Sequence, residues 1–440
     1  MMDYKPVLGF EDRVGRDSQI VLFLKNKLFE LFRLFGYEQL EIPILEKKDF
    51  FTEKYVGTSP WPGWNEKSLF EVDIIDYTKN YKKAGKIEKG VLVPEGTLSV
   101  CRWVANQIIK QKFDISKILP LKLYYQIKCF RNEPILELSK RKKREFEQIG
   151  LELFGPANEM ADAEVMYLIT RGLETIGIPR NRIVMRIGNV KLFNQLIKLC
   201  HIERKAEVVL KEKIDNLAEM KACEKEDEAR RIQEEIKFYL EKIGVSGSNL
   251  ELWEKLCSFA HQDLEESISY IIRVFNNEEV ASSLKSLGGV LNFLKIPFKI
   301  DLCVVRGQEY YSGVVFEVDV KGKDTLYLEV AGGGRYDQLL SKFFRNTDIS
   351  IPATGFAYGV ERLLDVVKNE GLKRVCSSVK YFLDEKSTDY VIFPRDMRKA
   401  WKAAEKMRKK WKRVDLYLLD NNRKKAKQYA QRKGARFLEI

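Results

Sequence analysis

The chain has 440 residues, too many for one typical domain, and its 45% hydrophobic and 32% charged composition is that of a protein able to bury a substantial core. No apolar run reaches the roughly 18–20 residues of a membrane span, and "MMDYKPVLGFEDRVGRD" lacks the basic-then-apolar order of a secretory signal, so no membrane partner and a cytoplasmic location are expected. The net charge is +13, and residues 391–440 carry nearly all of it, with 17 Lys+Arg against 5 Asp+Glu, which points to a polyanion partner.

In chain order, residues 18–35 place apolar side chains at helical spacing and predict an amphipathic helix ended by Gly36. "YEQLEIPILEK" follows as a strand with Pro43 near its end, then a loop around "GTSPWPGWNEK". "SLFEVDII", "GVLVPEGT", "LKLYYQIKCFRNE" and "FEQIGLELFG" predict strands, with a helix over "TLSVCRWVANQIIKQ". Residues 190–292, rich in Glu, Lys, Ala and Leu, predict an all-helical insertion. Strand patterns resume in "FKIDLCVVRGQEYYSGVVFEVDV" and "TLYLEVAGGG", a helix is expected to start near Gly355, and residues 388–440 alternate as β-α-β-α-β with basic helices. Long strands joined by loops favour an α+β fold, an antiparallel sheet flanked by helices. The expected parts are residues 1–189, the insertion 190–292, a second core segment 293–372, and a small α/β domain over 385–440.

Seven scattered cysteines show no metal-ligand spacing, and His201 and His261 are the only histidines. A metal site made by the protein itself and a histidine-based triad are therefore not expected.

Four stretches could carry chemistry. In "CFRNE…SKRKKREFEQIGLELFG", Arg131 could hold a phosphate, Phe146 stack on a purine and Glu133 accept from an adenine amine, although a surface hairpin with ion pairs would look the same. In "GFAYGVERLL", two glycines would let backbone approach a ligand with Arg362 one turn into a helix; a helix packed through glycines is the plainer alternative. In "VVRGQEYYSGVVFE" and "AGGGRYDQLL", the glycine run suggests a turn passing close to something, with Tyr310, Tyr311 and Tyr336 around a polar pocket. In "PEGT", Glu95 and Thr97 share one face and suit an ammonium group, though a turn would serve as well.

Together, in order and spacing, these stretches resemble the histidyl-tRNA synthetase branch of the class II aminoacyl-tRNA synthetases. The strand with Pro43 is similar to motif 1, which builds a dimer interface; "FRNE…REFEQ" is similar to motif 2 and "GFAYGVER" to motif 3. "RGQEYYSG" and "GGGRYDQL" resemble the two histidine signatures. The resemblance implies ATP with Mg²⁺, histidine and histidine tRNA as ligands, and a homodimer. It implies that Glu95, Thr97 and Gln148 hold the amino group of histidine, that Glu152 and Tyr311 bond its imidazole, and that Tyr336 closes the pocket. It assigns Arg131 to the α-phosphate, Arg362 to the γ-phosphate, and Arg306 to the reacting carboxylate and α-phosphate, with Arg131 and Arg306 as candidate catalytic groups. Lys140, Arg141, Lys142 and Lys143 would meet the tRNA acceptor end.

The chain departs from the family pattern at Gln308 and Glu309, at Val93, in the motif 2 loop, and in a C-terminal domain shorter than the usual anticodon-binding one. A non-catalytic regulator resembling the regulatory subunit of ATP phosphoribosyltransferase, or a paralogue with another acceptor, are the alternatives.

Overall fold

The computed structural model describes residues 4–56, 68–77, 84–112, 114–134, 143–259, 263–306, 310–324, 326–344, 349–370, 388–410, 412, 414–418 and 421–440. Its contacts divide into two compact units: the described residues of Met1–Arg13 and Leu24–Glu370, and those of Val14–Phe23 and Gly371–Ile440.

Helix α1 spans Arg16–Leu34. From Leu24 onward it contributes a stripe of buried residues, Leu24, Leu28 and Phe32, at the i, i+4, i+8 spacing of one helix face. Phe32 meets the rings of Tyr124 and Phe356 on the sheet, at centroid distances of 5.7 and 6.2 Å. The expected strand with Pro43 is broken into two short pieces, β1 (Glu38–Gln39) and β2 (Leu45–Lys47), consistent with a proline that cannot donate to a ladder. With β3 (Glu71–Tyr77) and β4 (Ala84–Leu92), β2 forms a small antiparallel sheet of order β2-β4-β3.

Helix α2 (Thr97–Lys110) leads to β5 (Leu121–Phe130) and β6 (Glu145–Phe154), which pair antiparallel from Leu121↔Phe154 to Phe130↔Glu145. Next come α3 (Glu159–Thr175), with Asn158 accepting from the Ala161 N–H as its cap, and β7 (Ile183–Asn189); neither was expected from the sequence. The described residues of 190–292 form helices, as expected: α4 (Val190–Leu199), α5 (Arg204–Ala222), α6 (Glu226–Lys242), α7 (Gly247–Ser258), α8 (Leu264–Phe275) and α9 (Glu278–Phe293).

The chain returns through β8 (Phe298–Ile300), β9 (Val314–Lys321), β10 (Leu326–Arg335), β11 (Ala353–Gly359) and α10 (Val360–Glu370). The main sheet has the order β1-β5-β6-β11-β10-β9-β7-β8 and is antiparallel except for the β1–β5 and β7–β8 pairs. Two expectations are corrected here. Residues 353–359 form a strand between β6 and β10, and the helix starts only at Val360, because Gly355 pairs with Glu152 on one side and Gly334 on the other. The glycine run 332–334 belongs to strand β10 and makes no turn. Both glycine clusters mark close approach within the sheet: a Cβ at Gly355 would collide with the Glu152 carboxylate, and one at Gly333 with the Gly355 carbonyl.

The second unit holds β12 (Tyr390–Phe393), α11 (Met397–Arg408), β13 (Val414–Leu416), α12 (Arg423–Arg432) and β14 (Arg436–Glu439), the expected alternation. Its three strands are parallel, in the order β13-β12-β14. Ala400 and Ala404 of α11 pack with Ile392, whereas Ala426 and Ala430 of α12 pack with Val391 and Phe393. Adjacent residues of one strand face opposite ways, so the helices cover opposite faces and turn their lysines and arginines outward.

Candidate active site

One end of the site is a buried polar pocket built where β5, β6 and β11 meet the start of α2. Phe146, Gln148, Gly150 and Glu152 alternate along β6 and therefore share a face. Glu152, 1% exposed, accepts from the hydroxyls of Thr97 (2.9 Å), Tyr125 (3.2 Å) and Tyr336 (2.5 Å). Burial pushes its carboxyl up to about 8, against the pull of the Tyr336, Thr97 and Tyr125 hydrogen bonds. Glu95 precedes α2 and accepts from the N–H groups of Thr97 (2.9 Å) and Leu98 (2.8 Å), with the Tyr310 hydroxyl at 3.5 Å. Burial raises its carboxyl too, offset in part by those backbone donors. The Gln148 carbonyl oxygen accepts from the Gly96 N–H at 3.1 Å. Tyr311 lies tilted against Tyr310, ring centroids 4.9 Å apart, and Tyr310 meets Tyr336 edge-on at 5.8 Å.

Arg131, at the end of β5, lies against this pocket: its Nε donates to the Pro94 carbonyl at 3.1 Å and its guanidinium sits 4.9 Å from the Phe146 ring centroid. Burial lowers its pKa. Nearby, Glu133 is buried, and its Oε2 has no hydrogen-bond partner among the described residues. A buried polar atom left in that condition is costly, which marks a place for an outside donor.

The other end is a charged layer on β7, β9 and β10. Arg306 lies in the loop before β9 with φ +56°; its Nη1 meets Glu317 (3.1 Å) and Glu329 (3.3 Å), while its buried Nε has no partner among the described residues. Burial opposes its charge, but Tyr311, Glu317 and Glu329 outweigh that and raise its pKa. A Cβ at Gly332 would stand 2.5 Å from Arg306 Nη1, so the glycine of β10 leaves the guanidinium its room. Arg362, in the first turn of α10, reaches the Glu329 carboxylate at 2.9 Å. Beneath them Arg186, 1% exposed, pairs with Asp319 (2.7 Å) and Glu317 (2.8 Å).

The structure thus brings Glu95, Thr97, Gln148, Glu152 and Tyr336 into one pocket, sets Arg131 and Phe146 at its rim, and joins Arg306 to Arg362 through Glu329. Lys143 is paired with Glu11 at 2.6 Å, and Lys140, Arg141 and Lys142 lie outside the described residues. Tyr125, Arg186, Glu317, Asp319 and Glu329 escaped the sequence reading. Glu317 and Asp319 carried a signal: acids at i and i+2 of the otherwise apolar "VVFEVDV". Glu361 also escaped the sequence reading; it takes Arg13 at 2.6 Å and the Glu147 N–H at 3.0 Å, tying the N-terminal segment to β6.

An antiparallel sheet flanked by helices, carrying buried carboxylates at one end and paired arginines at the other, is the catalytic fold of the class II aminoacyl-tRNA synthetases. The sequence profile described as "Histidyl-tRNA synthetase" matches residues 91–363, more than half of the chain, and the chain belongs to that family. A histidine–tRNA ligase of Metallosphaera sedula is 28% identical over 373 residues, 85% of this chain and 77% of that one. That of Pyrobaculum calidifontis is 28% identical over 441 residues, 99% and 90% of the two chains. In fold, the chain resembles a Bacillus halodurans protein titled as an ATP phosphoribosyltransferase regulatory subunit/histidyl-tRNA synthetase, with a TM-score of 0.69 at 22% identity, covering 100% and 99% of the chains.

The Glu152 carboxyl moves from 4.5 to about 8 on folding, so the folded, ligand-free protein holds a proton there that the unfolded chain releases. The proton's contribution is complete below the lower value and is lost as pH rises toward the upper one. Glu152→Gln removes the titration. Its stability relative to the parent should therefore rise on the order of a few kcal/mol between about pH 5 and pH 9, read by urea unfolding at several pH values. Parallel stability profiles for the two proteins would exclude this titration.

Proposed function

We propose that the chain activates histidine with ATP to histidyl-adenylate and transfers the histidyl group to the 3′ end of histidine tRNA. The observation that carries this reading is the pair of buried carboxylates Glu95 and Glu152 beside Gln148, with Arg131 against the Pro94 carbonyl and the Phe146 ring. An imidazole offers one donor and one acceptor. Glu152, poised near neutrality, accepts the imidazole N–H, and Tyr311 supplies the complementary hydroxyl. A site of buried polar groups discriminates strongly against analogues that leave those groups unpaired. Glu95, Thr97 and Gln148 surround the ammonium group.

The histidine carboxylate then attacks the α-phosphorus in line, and pyrophosphate leaves. Arg131 and Arg306 neutralise charge on the α-phosphate and Arg362 holds the γ-phosphate, so the protein contributes position and field in place of a covalent nucleophile. Phe146 stacks on adenine, and the unpartnered Glu133 Oε2 accepts its amine. Among the described residues no group of three His, Cys, Asp or Glu could hold a metal alone. Mg²⁺, which the use of ATP implies, would be carried by the nucleotide and would partly neutralise its phosphate charge. The outward basic faces of α11 and α12 and the Lys140–Lys143 loop make phosphate contacts to tRNA. The chain is divided as 1–189, 190–292, 293–372 and 385–440, with the last part on the RNA side. The cytoplasm is its setting; no described helix is long and apolar enough to cross a membrane. A homodimer is formed through the β2-β4-β3 region, where Ile44, Leu45 and Ile74 are exposed.

Three measurements test these assignments. Histidine-dependent exchange of pyrophosphate into ATP, followed by charging of histidine tRNA, should both occur, and Arg131→Ala or Arg306→Ala should slow exchange by ~100-fold or more. No exchange sinks the enzyme reading; exchange without charging favours a paralogue with another acceptor. Neutralising Lys140 to Lys143 should impair charging far more than exchange, and equal losses would refute the loop's role in tRNA contact. Sedimentation should give twice the 51.4 kDa chain mass; a monomer at micromolar concentration would remove the dimer.

A further inference from the structure

Glu329 occupies an unusual position. It is a non-glycine residue at φ +45° in the middle of β10, at a break in the β9–β10 register between Tyr327 and Ala331. Such a bulge re-aims a side chain. Here it aims a carboxylate between two arginines, with Oε1 3.3 Å from Arg306 Nη1 and Oε2 2.9 Å from Arg362 Nη1. The backbone N–H of Glu329 is pinned at the same time by Asp319 Oδ1 at 2.7 Å. Its side chain is 22% exposed.

We propose that Glu329 is a built-in phosphate surrogate: in the ligand-free protein its carboxylate occupies the seat between Arg306 and Arg362 that the ATP phosphates take, and ATP must displace it. This inference rests on the reading of those two arginines as phosphate-binding groups. The chemistry fits, because a carboxylate and a phosphate present similar oxygen pairs to a guanidinium. The two arginines keep Glu329 ionised despite its burial, Arg362 and Arg306 together outweighing the desolvation that would raise its pKa.

The alternative role is scaffolding, in which Glu329 holds the arginines in their productive positions. The sign of one measurement separates the two. Each arginine has a second anchor: Arg306 Nη1 also meets Glu317, at 3.1 Å, and Arg362 Nη1 also donates to the carbonyls of Leu328 (3.2 Å) and Glu329 (2.8 Å). Removing the Glu329 charge therefore leaves both arginines placed while ending the competition with phosphate. Glu329→Gln should lower the KM for ATP in pyrophosphate exchange by ~3-fold or more while the KM for histidine stays unchanged. It should also tighten binding of inorganic tripolyphosphate to the ligand-free protein. An ATP KM that is unchanged or raised, or a parallel shift in both KM values, overturns the surrogate. Should Glu329→Gln not fold, Glu329→Asp takes its place; its shorter arm cannot span both Nη1 atoms, and the same fall or its absence decides. If the parent protein shows no exchange, the activity assigned above fails, and tripolyphosphate binding by the parent and the variant still decides this inference.

Discussion

A carboxylate buried in a sheet, with no cation at its oxygens among the described residues, constrains everything around it. Glu152 meets that constraint with three hydroxyl donors and by retaining its proton toward neutral pH. Isolated burial of an ionised carboxylate would otherwise cost more than a domain can spare. The donors come from three separated places in the chain, Thr97, Tyr125 and Tyr336, so the carboxylate couples the first turn of α2, strand β5 and the end of β10. Room for this arrangement exists only because side chains are missing around it. Gly355 clears the space beside the carboxylate, and Gly96 and Gly150 clear the space for the Tyr125 ring. The pairings Tyr125↔Gly150 and Glu152↔Gly355 are thereby fixed, since a slip of one residue would turn Gln148 and Glu152 to the opposite face.

The second half of the site is organised by alternating charge. Arg186 is fully enclosed by Asp319 and Glu317, and at 4.0 Å by Asp301. Glu317 in turn faces Arg306, and Glu329 joins Arg306 to Arg362. Burial, with Glu329 beside it, pushes the Glu317 carboxyl up against the pull of Arg186 and Arg306. Removing one of the fully enclosed members, Arg186 or Asp319, leaves an uncompensated buried charge, which is far more damaging than the net worth of that single pair. The layer therefore reads as a rigid mount that presents arginines at its surface.

Much of this was legible in the sequence where chemistry follows local spacing. The two-residue period from Phe146 to Glu152 predicts their shared face, and the helical segment and the C-terminal alternation follow from their periodicity, whereas "PEGT" is not the extended segment expected: Gly96 is already helical and Thr97 opens α2. What stayed hidden depends on sheet order. Tyr125 looks like any strand tyrosine until β5 is laid against β6, and Arg186 has no visible partner until β7 is laid beside β9. Gly355 misled for a related reason. Glycines before an amphipathic run suit a helix start and a crowded strand equally well, and only the neighbouring Glu152 decides between them.

The placement of Arg306 shows how the insertion and the chemistry are linked. Strands β7 and β8 are parallel neighbours, Met185 opposite Phe298, and a parallel pair always needs a crossover. Residues 190–292 fill that crossover, so a long helical segment leaves and re-enters the sheet without disturbing its order. The returning chain is held at once: the Asp301 N–H donates to the Ile187 carbonyl at 2.8 Å, and Gly188 lies so close to the Val304 carbonyl that a Cβ there would collide. From the other side Lys221 of α5 reaches Cys303 Sγ at 3.7 Å, and that thiol lies 3.6 Å from the Leu256 carbonyl of α7. Arg306 follows three residues later, in a left-handed conformation that a non-glycine residue holds only where its surroundings over-determine it. The position of this arginine is therefore set jointly by the sheet edge and by two helices of the insertion, which makes the insertion part of the site's mechanical support as well as an appendage to the fold.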